Sequence, residues 1–220
     1  MERNISLEEI SDGKRYGLND MVKASCNDCK GCSACCEGMG NSIILDPYDI
    51  YRLTTGLGVT TEQLLANQLE LNVTGGLILP NLKMQGDREC CAFLNEEGRC
   101  SIHAHRPGIC RIFPLGRVYE NGKFDYILQV HECKKQNRTK VKVSKWIDTP
   151  DQKRNEEFIL EWHYFIKELK RRIQQGMDEA VVRQLNMYVL HLFYLTPYAK
   201  NVDFYEQFAE RFEKAKGLLV

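Results

Sequence analysis

Five of this chain's cysteines fall within eleven residues, in the pattern Cys26-x-x-Cys29-x-x-Cys32-x-x-Cys35-Cys36. Two intervening residues is the separation at which a tight turn lets two thiolates converge on one ion while the N–H groups between them point at the sulfurs. The separation occurs three times in succession, so one loop can supply three or four ligands. Cys90, Cys91, Cys100, Cys110 and Cys133 raise the total to ten. Such thiols serve as disulfides, as packing or as metal ligands. A chain of this length buries about 70% of the surface its unfolded form exposes and needs no cross-links to fold. Residues 1–20 are densely charged and hold no apolar stretch of signal-peptide or membrane-helix length. The expectation is a cytoplasmic protein in a reducing compartment, where clustered cysteines hold metal more often than they form disulfides.

Structural zinc usually draws on two well-separated cysteine pairs, whereas a compact run with a remote fourth cysteine suits a cubane iron–sulfur cluster with one thiolate per iron. The local spacing leans toward iron. Zinc stays open, because Cys29 and Cys32 can pair with Cys100 and Cys110, and ten thiols exceed the need of one four-ligand centre. A redox dithiol without metal is the smallest alternative. Neighbouring side chains in Cys35-Cys36 and Cys90-Cys91 reach one point only on an unusual backbone, so one member of each pair can be plain packing. Cys26 and Cys90 read as spectators. The expected ligands are therefore drawn from Cys29, Cys32, Cys35, Cys36, Cys91, Cys100, Cys110 and Cys133. Arg106 and Arg111 bracket Cys110 and are read as cofactor-binding, with guanidinium groups that donate to thiolates and offset a negative cluster. Pro107 and Pro114 restrain that loop. Phe93, Ile102 and Phe113 read as core that shields the site from water.

Thirty Lys+Arg balance thirty Asp+Glu, so bulk charge points to no polyanion and no membrane surface. The one basic strip, residues 134–145, alternates Val141 and Val143 with lysines as a charge-guarded edge strand does. It lacks the interleaved aromatics of a single-strand binder, and no nucleic-acid partner is expected. His103, His105 and His131 read as locally hydrogen-bonded or solvent-facing, and Asp46 before Pro47 as a helix cap rather than an acid–base group. There is no phosphate-binding glycine loop and no hydrolase elbow.

The expected fold is α+β: a small irregular cysteine-rich core of short strands and hairpins with a C-terminal helical cap. Residues 1–19 form a peripheral segment with a helical turn capped by Ser6, residues 20–150 the metal-binding core and residues 151–220 the helical subdomain. Within the core, strands are expected at 42–45, 77–79 and 91–94, and helices from Pro47 to about Leu53 and from Thr60 or Thr61 through Leu69. A turn falls at 95–98. Asn121-Gly122 marks a hairpin between 116–120 and 123–130. From Gln152 onward, apolar residues recur at spacings of three and four in three faces. They are Phe158, Trp162, Phe165, Ile166, Leu169 and Ile173; then Val181, Val182, Leu185, Tyr188, Val189, Leu192 and Phe193; then Phe204, Phe208 and Phe212.

Four blocks in order carry a family resemblance: Cys29-x-x-Cys32-x-x-Cys35-Cys36, then Cys91-Ala-Phe-Leu94, then Gly98-Arg-Cys100-Ser-Ile-His103, then Arg106-Pro107-x-x-Cys110-Arg111-x-Phe113-Pro114. In these residues the chain resembles the YkgJ-like CxxCxxCC cysteine-cluster proteins over about residues 26–114, with Cys133 similar to a further cysteine that often follows. His103 stands where many of those proteins carry an aromatic residue. The resemblance implies a zinc- or iron-chelating domain, and the family's larger relatives include flagellin lysine N-methylases. Three functions follow as expectations: a cytoplasmic iron–sulfur protein (4Fe–4S) with a redox, cluster-dependent or structural role; a zinc-stabilised module that docks a protein partner; or an S-adenosylmethionine-dependent protein lysine methylase. Whether the chain is an enzyme stays open.

Overall fold

The computed structural model describes residues 6–26, 32–135 and 137–219. Its architecture is α+β, with helices interleaved among four two-stranded antiparallel ribbons. Ser6 accepts from Glu8 N at 3.3 Å and opens the short α1 (Leu7–Ile10). The chain then runs beside β7 (Lys123–Leu128), with bridges Ser11 to Gln129 and Tyr16 to Tyr126. β1 (Met21–Ser25) pairs with β8 (Thr139–Lys142). The basic strip thus supplies a strand as expected, but Val143 leaves it to begin α5 (Val143–Ile147), where it is fully buried.

The expected start of α2 (Pro47–Leu57) is present as a reciprocal cap: Asp46 accepts from Asp49 N at 2.9 Å and Asp49 accepts from Asp46 N at 3.1 Å. The helix runs one turn past Leu53 and stops where Gly58 adopts φ 70°. That extra turn contains Gly56, against which the His105 ring is seated. A Cβ at Gly56 would stand 2.3 Å from His105 Nδ1. Alanine gains about 1 kcal/mol of helix propensity over glycine, yet Gly56→Ala is expected to destabilise by about 1–3 kcal/mol, because the ring has to be displaced. The urea midpoint reads this, and a stabilised variant would show that the ring swings aside freely.

α3 (Thr61–Asn67) is capped by Thr60 in the same reciprocal way with Gln63. It ends before the expected Leu69, since Leu69 opens β2 (Leu69–Thr74), a strand the helical reading of this segment hid. β2 pairs throughout with β3 (Leu77–Leu82). Their turn, Gly75-Gly76, lies under the later helix α6, where a Cβ at Gly76 would meet Ile173 Cγ2 at 2.5 Å. Residues 42–45 form one bridge, Ile44 to Asn81, rather than a strand. The expected strand at 91–94 contracts to β5 (Cys90–Cys91), paired with β4 (Met84–Gln85). The turn at 95–98 is formed, closed by Gly98 N donating to Asn95 O at 3.0 Å. α4 (Gly108–Ile112) follows, and then β6 (Leu115–Glu120) pairs with β7 across Asn121 at φ 50° and Gly122 at φ 74°. Two positive φ values make the primed turn that matches strand twist.

Asp151 accepts from Arg154 N and opens α6 (Gln152–Gln174), whose Phe158, Trp162, Phe165 and Leu169 are buried as the pattern requires. In α7 (Glu179–Leu190) the buried stripe is Leu185, Asn186, Val189 and Leu190, while Val181 and Tyr188 are exposed, contrary to the expected face. Residues His191–Leu195 continue as a wider π turn that shifts the register, so a single 3.6-residue stripe does not describe the segment. Polar anchors hold this half in place. Asn186 accepts from Ile78 N at 2.7 Å and donates to Gly76 O at 3.0 Å, pinning the β2–β3 turn to α7. Arg211, in α8 (Phe204–Ala215), donates to the carbonyls of Leu192, Thr196 and Pro197 at 2.8–2.9 Å and lies 3.6 Å from the Tyr198 ring centre. One apolar cluster joins these helices to α2, α3, β3, Cys91, Phe93 and Ile102, and a smaller one gathers Val22, Ala24, Ile112, Leu115, Tyr126, Leu128, Val143 and Ile147.

Candidate metal centre

Cys35 and Cys36 lie in the 3-10 turn Ala34–Cys36, closed by Cys36 N donating to Ser33 O at 2.7 Å. Ser33 Oγ donates to Glu37 Oε1 at 2.7 Å. Glu37 then bridges to Cys90, and Gly38 N donates to Glu89 O at 3.0 Å, which ties the turn to the β4–β5 ribbon. Successive residues of β5 face opposite ways, so Cys91 is buried while Cys90 is half-exposed. A turn from Leu94 N to Cys91 O at 2.8 Å and a bridge from Leu94 to Cys100 return the chain alongside. Cys110 arrives from the middle of α4, behind Pro107.

Cys35, Cys36, Cys91, Cys100 and Cys110 consequently share one electrostatic neighbourhood. The Cys36 thiol donates to the Cys35 sulfur, which with the nearby Arg106 charge holds Cys35 down to about 7 against the effect of burial, and the same contact pushes Cys36 far up. Burial is the main force raising Cys91, Cys100 and Cys110, and the neighbouring sulfurs add to it. Protein encloses the Cys110 sulfur even though the residue keeps some exposed surface, and Asp49 pushes its thiol higher still.

A second gathering adjoins the first at Cys35. Cys26, Cys32, Cys35 and Cys133 line a narrow cleft, with Phe113, Pro114 and Trp146 on its walls. Cys26, read from the sequence as a spectator, therefore stands among the expected ligands. The signal was available in its two-residue spacing from Cys29, which itself lies outside the described residues. Cys32, Cys35, Cys36, Cys90, Cys91, Cys100, Cys110 and Cys133 form no disulfide. Among the described residues no three His, Cys, Asp or Glu side chains stand close enough together to hold an ion. The donor set still fits a thiophilic metal. It is all sulfur, it is drawn from four separate stretches, and its buried thiols resist ionisation for want of positive charge, which a coordinated cation supplies.

The two arginines around Cys110 divide their roles. Arg106 bears on the thiols, drawing down both Cys35 and Cys100, and its Nη1 lies 3.0 Å from His103 Nε2. Arg111 is buried and donates to Asp148 O and Ala104 O, each at 3.0 Å, so these hydrogen bonds go to carbonyls rather than to sulfur. Adjacent helical residues point about 100° apart, and Arg111 leaves α4 on a different side from Cys110. His103 is hydrogen-bonded locally and His131 is exposed, as expected. Phe93 and Ile102 are buried beside the thiols, and Phe113 lines the cleft.

No helix among the described residues is long and apolar enough to cross a membrane. No curated protein and no solved structure matches the chain. One family model, described as "Putative zinc- or iron-chelating domain", covers residues 28–146, a span that begins just before Cys29, takes in every cysteine except Cys26 and ends at the cleft residue Trp146. With more than half its length matched in this way, the chain belongs to the CxxCxxCC family of zinc- or iron-chelating domains.

Proposed function

We propose that this protein is a cytoplasmic iron–sulfur protein whose cysteines hold a 4Fe–4S centre serving a redox, cluster-dependent or structural role. The observation that carries the reading is that Cys35, Cys36, Cys91, Cys100 and Cys110 lie near enough around the 34–36 turn to feel one another's charge, with Asp49 beside Cys110. Cubane clusters take one thiolate per iron. Buried Phe93 and Ile102 would limit water at such a centre, and Arg106 would offset its negative charge. Ligand sites of this kind close as the metal binds, so the final approach of the sulfurs belongs to the loaded state.

The second gathering, Cys26, Cys32, Cys35 and Cys133, favours a different reading in which two thiol sets serve a zinc-stabilised domain. Elemental analysis of protein purified without air separates the two. The iron–sulfur reading expects a brown protein with iron and acid-labile sulfide in equal amounts and a reversible electrochemical reduction. Colourless protein with stoichiometric zinc and no sulfide would overturn it.

A further inference from the structure

Beyond the cysteines, α2, the loop into α4, β6, α5 and α6 surround a narrow cleft lined by Arg52, Arg106, Arg111 and Arg117 with Asp46 and Asp49. The carboxylates are occupied with backbone. Asp46 accepts from Asp49 N, and Asp49 accepts from Asp46 N and, at 2.6 Å, from Gly108 N. Among the described residues no salt bridge joins either of them to the arginines. Four guanidinium groups thus face two carboxylates already committed to N–H donors.

The donor inventory is also incomplete. Arg111 is satisfied by carbonyls, and Arg52 Nη2 reaches Ala104 O. Arg52 Nη1, Arg106 Nε and Arg117 Nε are buried without any hydrogen-bond partner. Buried donors are nearly always paired, and three orphans from three elements around one cleft call for an acceptor that belongs there. A dianionic oxyanion supplies both the missing acceptors and the missing charge. Guanidinium forks bind such groups in preference to halide or water because they offer parallel donors to two oxygens.

We propose that this arginine cleft is a binding site for a phosphate group, free or carried as a monoester. The site is distinct from the thiol gatherings and does not depend on which metal they hold. Arg106 sits between the two, so an anion seated in the cleft would lie next to the metal centre.

Calorimetry on the full-length, metal-loaded protein tests the assignment with inorganic phosphate, phenyl phosphate and acetate as separate titrants. Saturable binding of phosphate or phenyl phosphate is expected, at least about tenfold tighter than acetate; the stronger of the two identifies a free anion or a monoester as the ligand. Arg52→Gln should weaken that binding at least about tenfold while leaving metal content unchanged, which separates the site from the metal centre. Arg117→Gln offers the same readout from another element should Arg52→Gln fail to fold. No saturable binding of either phosphate titrant, or binding unaltered in a folded variant, would overturn the proposal and leave the orphan donors to water.

Discussion

Replacing Cys35 by serine is expected to reduce bound metal to less than about a tenth of the wild-type content, with a matching fall in the denaturation midpoint. Cys35 is the one sulfur common to both thiol gatherings: it lines the cleft with Cys26, Cys32 and Cys133, and it is the hydrogen-bond partner of Cys36. A hydroxyl in its place remains protonated at neutral pH and is a poor ligand for zinc or iron. Metal binding free energy in small thiolate sites is on the order of 10 kcal/mol and is folding free energy wherever the apo site is open. The effect should be largest in the segments that have little else to hold them, the 34–36 turn and the short β4–β5 ribbon. Cys90→Ser is the control, since Cys90 is half-exposed on the opposite face of β5 from Cys91. Elemental analysis of the two variants side by side decides the matter, and full metal retention in Cys35→Ser would place the centre elsewhere.

The second large effect is expected far from sulfur. Phe158→Ala should cost about 3–5 kcal/mol, the usual range for emptying a buried phenyl site. Phe158 is 1% exposed and makes edge contacts with Phe208 at 4.7 Å and Phe204 at 5.2 Å between ring centres, with Tyr48 of α2 a further neighbour at 6.2 Å. Such edge-to-face pairs add about 0.5–1.5 kcal/mol each beyond area burial. Against a total stability of about 5–15 kcal/mol, the loss is a large fraction. Because the same apolar cluster contains Cys91, Phe93 and Ile102, the variant should also release metal at a lower denaturant concentration than wild type. Equilibrium unfolding followed by tryptophan fluorescence and by metal release reports both. A Phe158→Ala protein that loses less than about 1 kcal/mol would contradict the packing described, and Val181→Ala, at an exposed position, supplies the neutral reference.

Helix starts at Asp46, Thr60, Asp151 and Asp203 depend on hydrogen bonds that close within three residues, and the Asn121-Gly122 hairpin depends on two adjacent φ angles. The first three starts and the hairpin were legible for that reason. β2 was not: residues 69–74 acquire strand character from the facing residues 77–82 and from α6 beneath the turn, none of which a local pattern contains. The π turn at 191–195 defeated the stripe in α7 in the same way, since one extra residue per turn rotates the later positions off the face.

The sulfurs divide along the same line. Spacing alone marked Cys29, Cys32, Cys35 and Cys36 as a candidate ligand loop, and the blocks at Cys91, Cys100 and Cys110 pointed to the family that the match over 28–146 bears out. Short strands, hairpin turns and periodic apolar faces pointed to the α+β fold that the structure has. Only tertiary structure decided that Cys26 and Cys133 line one cleft, that Arg111 turns to carbonyls while Arg106 bears on sulfur, and that Arg52 and Arg117 join them around a second cleft. The physical reason is reach. A capping bond or a turn is closed by neighbours along the chain, but the charge and the partners of a buried side chain are set by whatever packs against it from residues a hundred positions away.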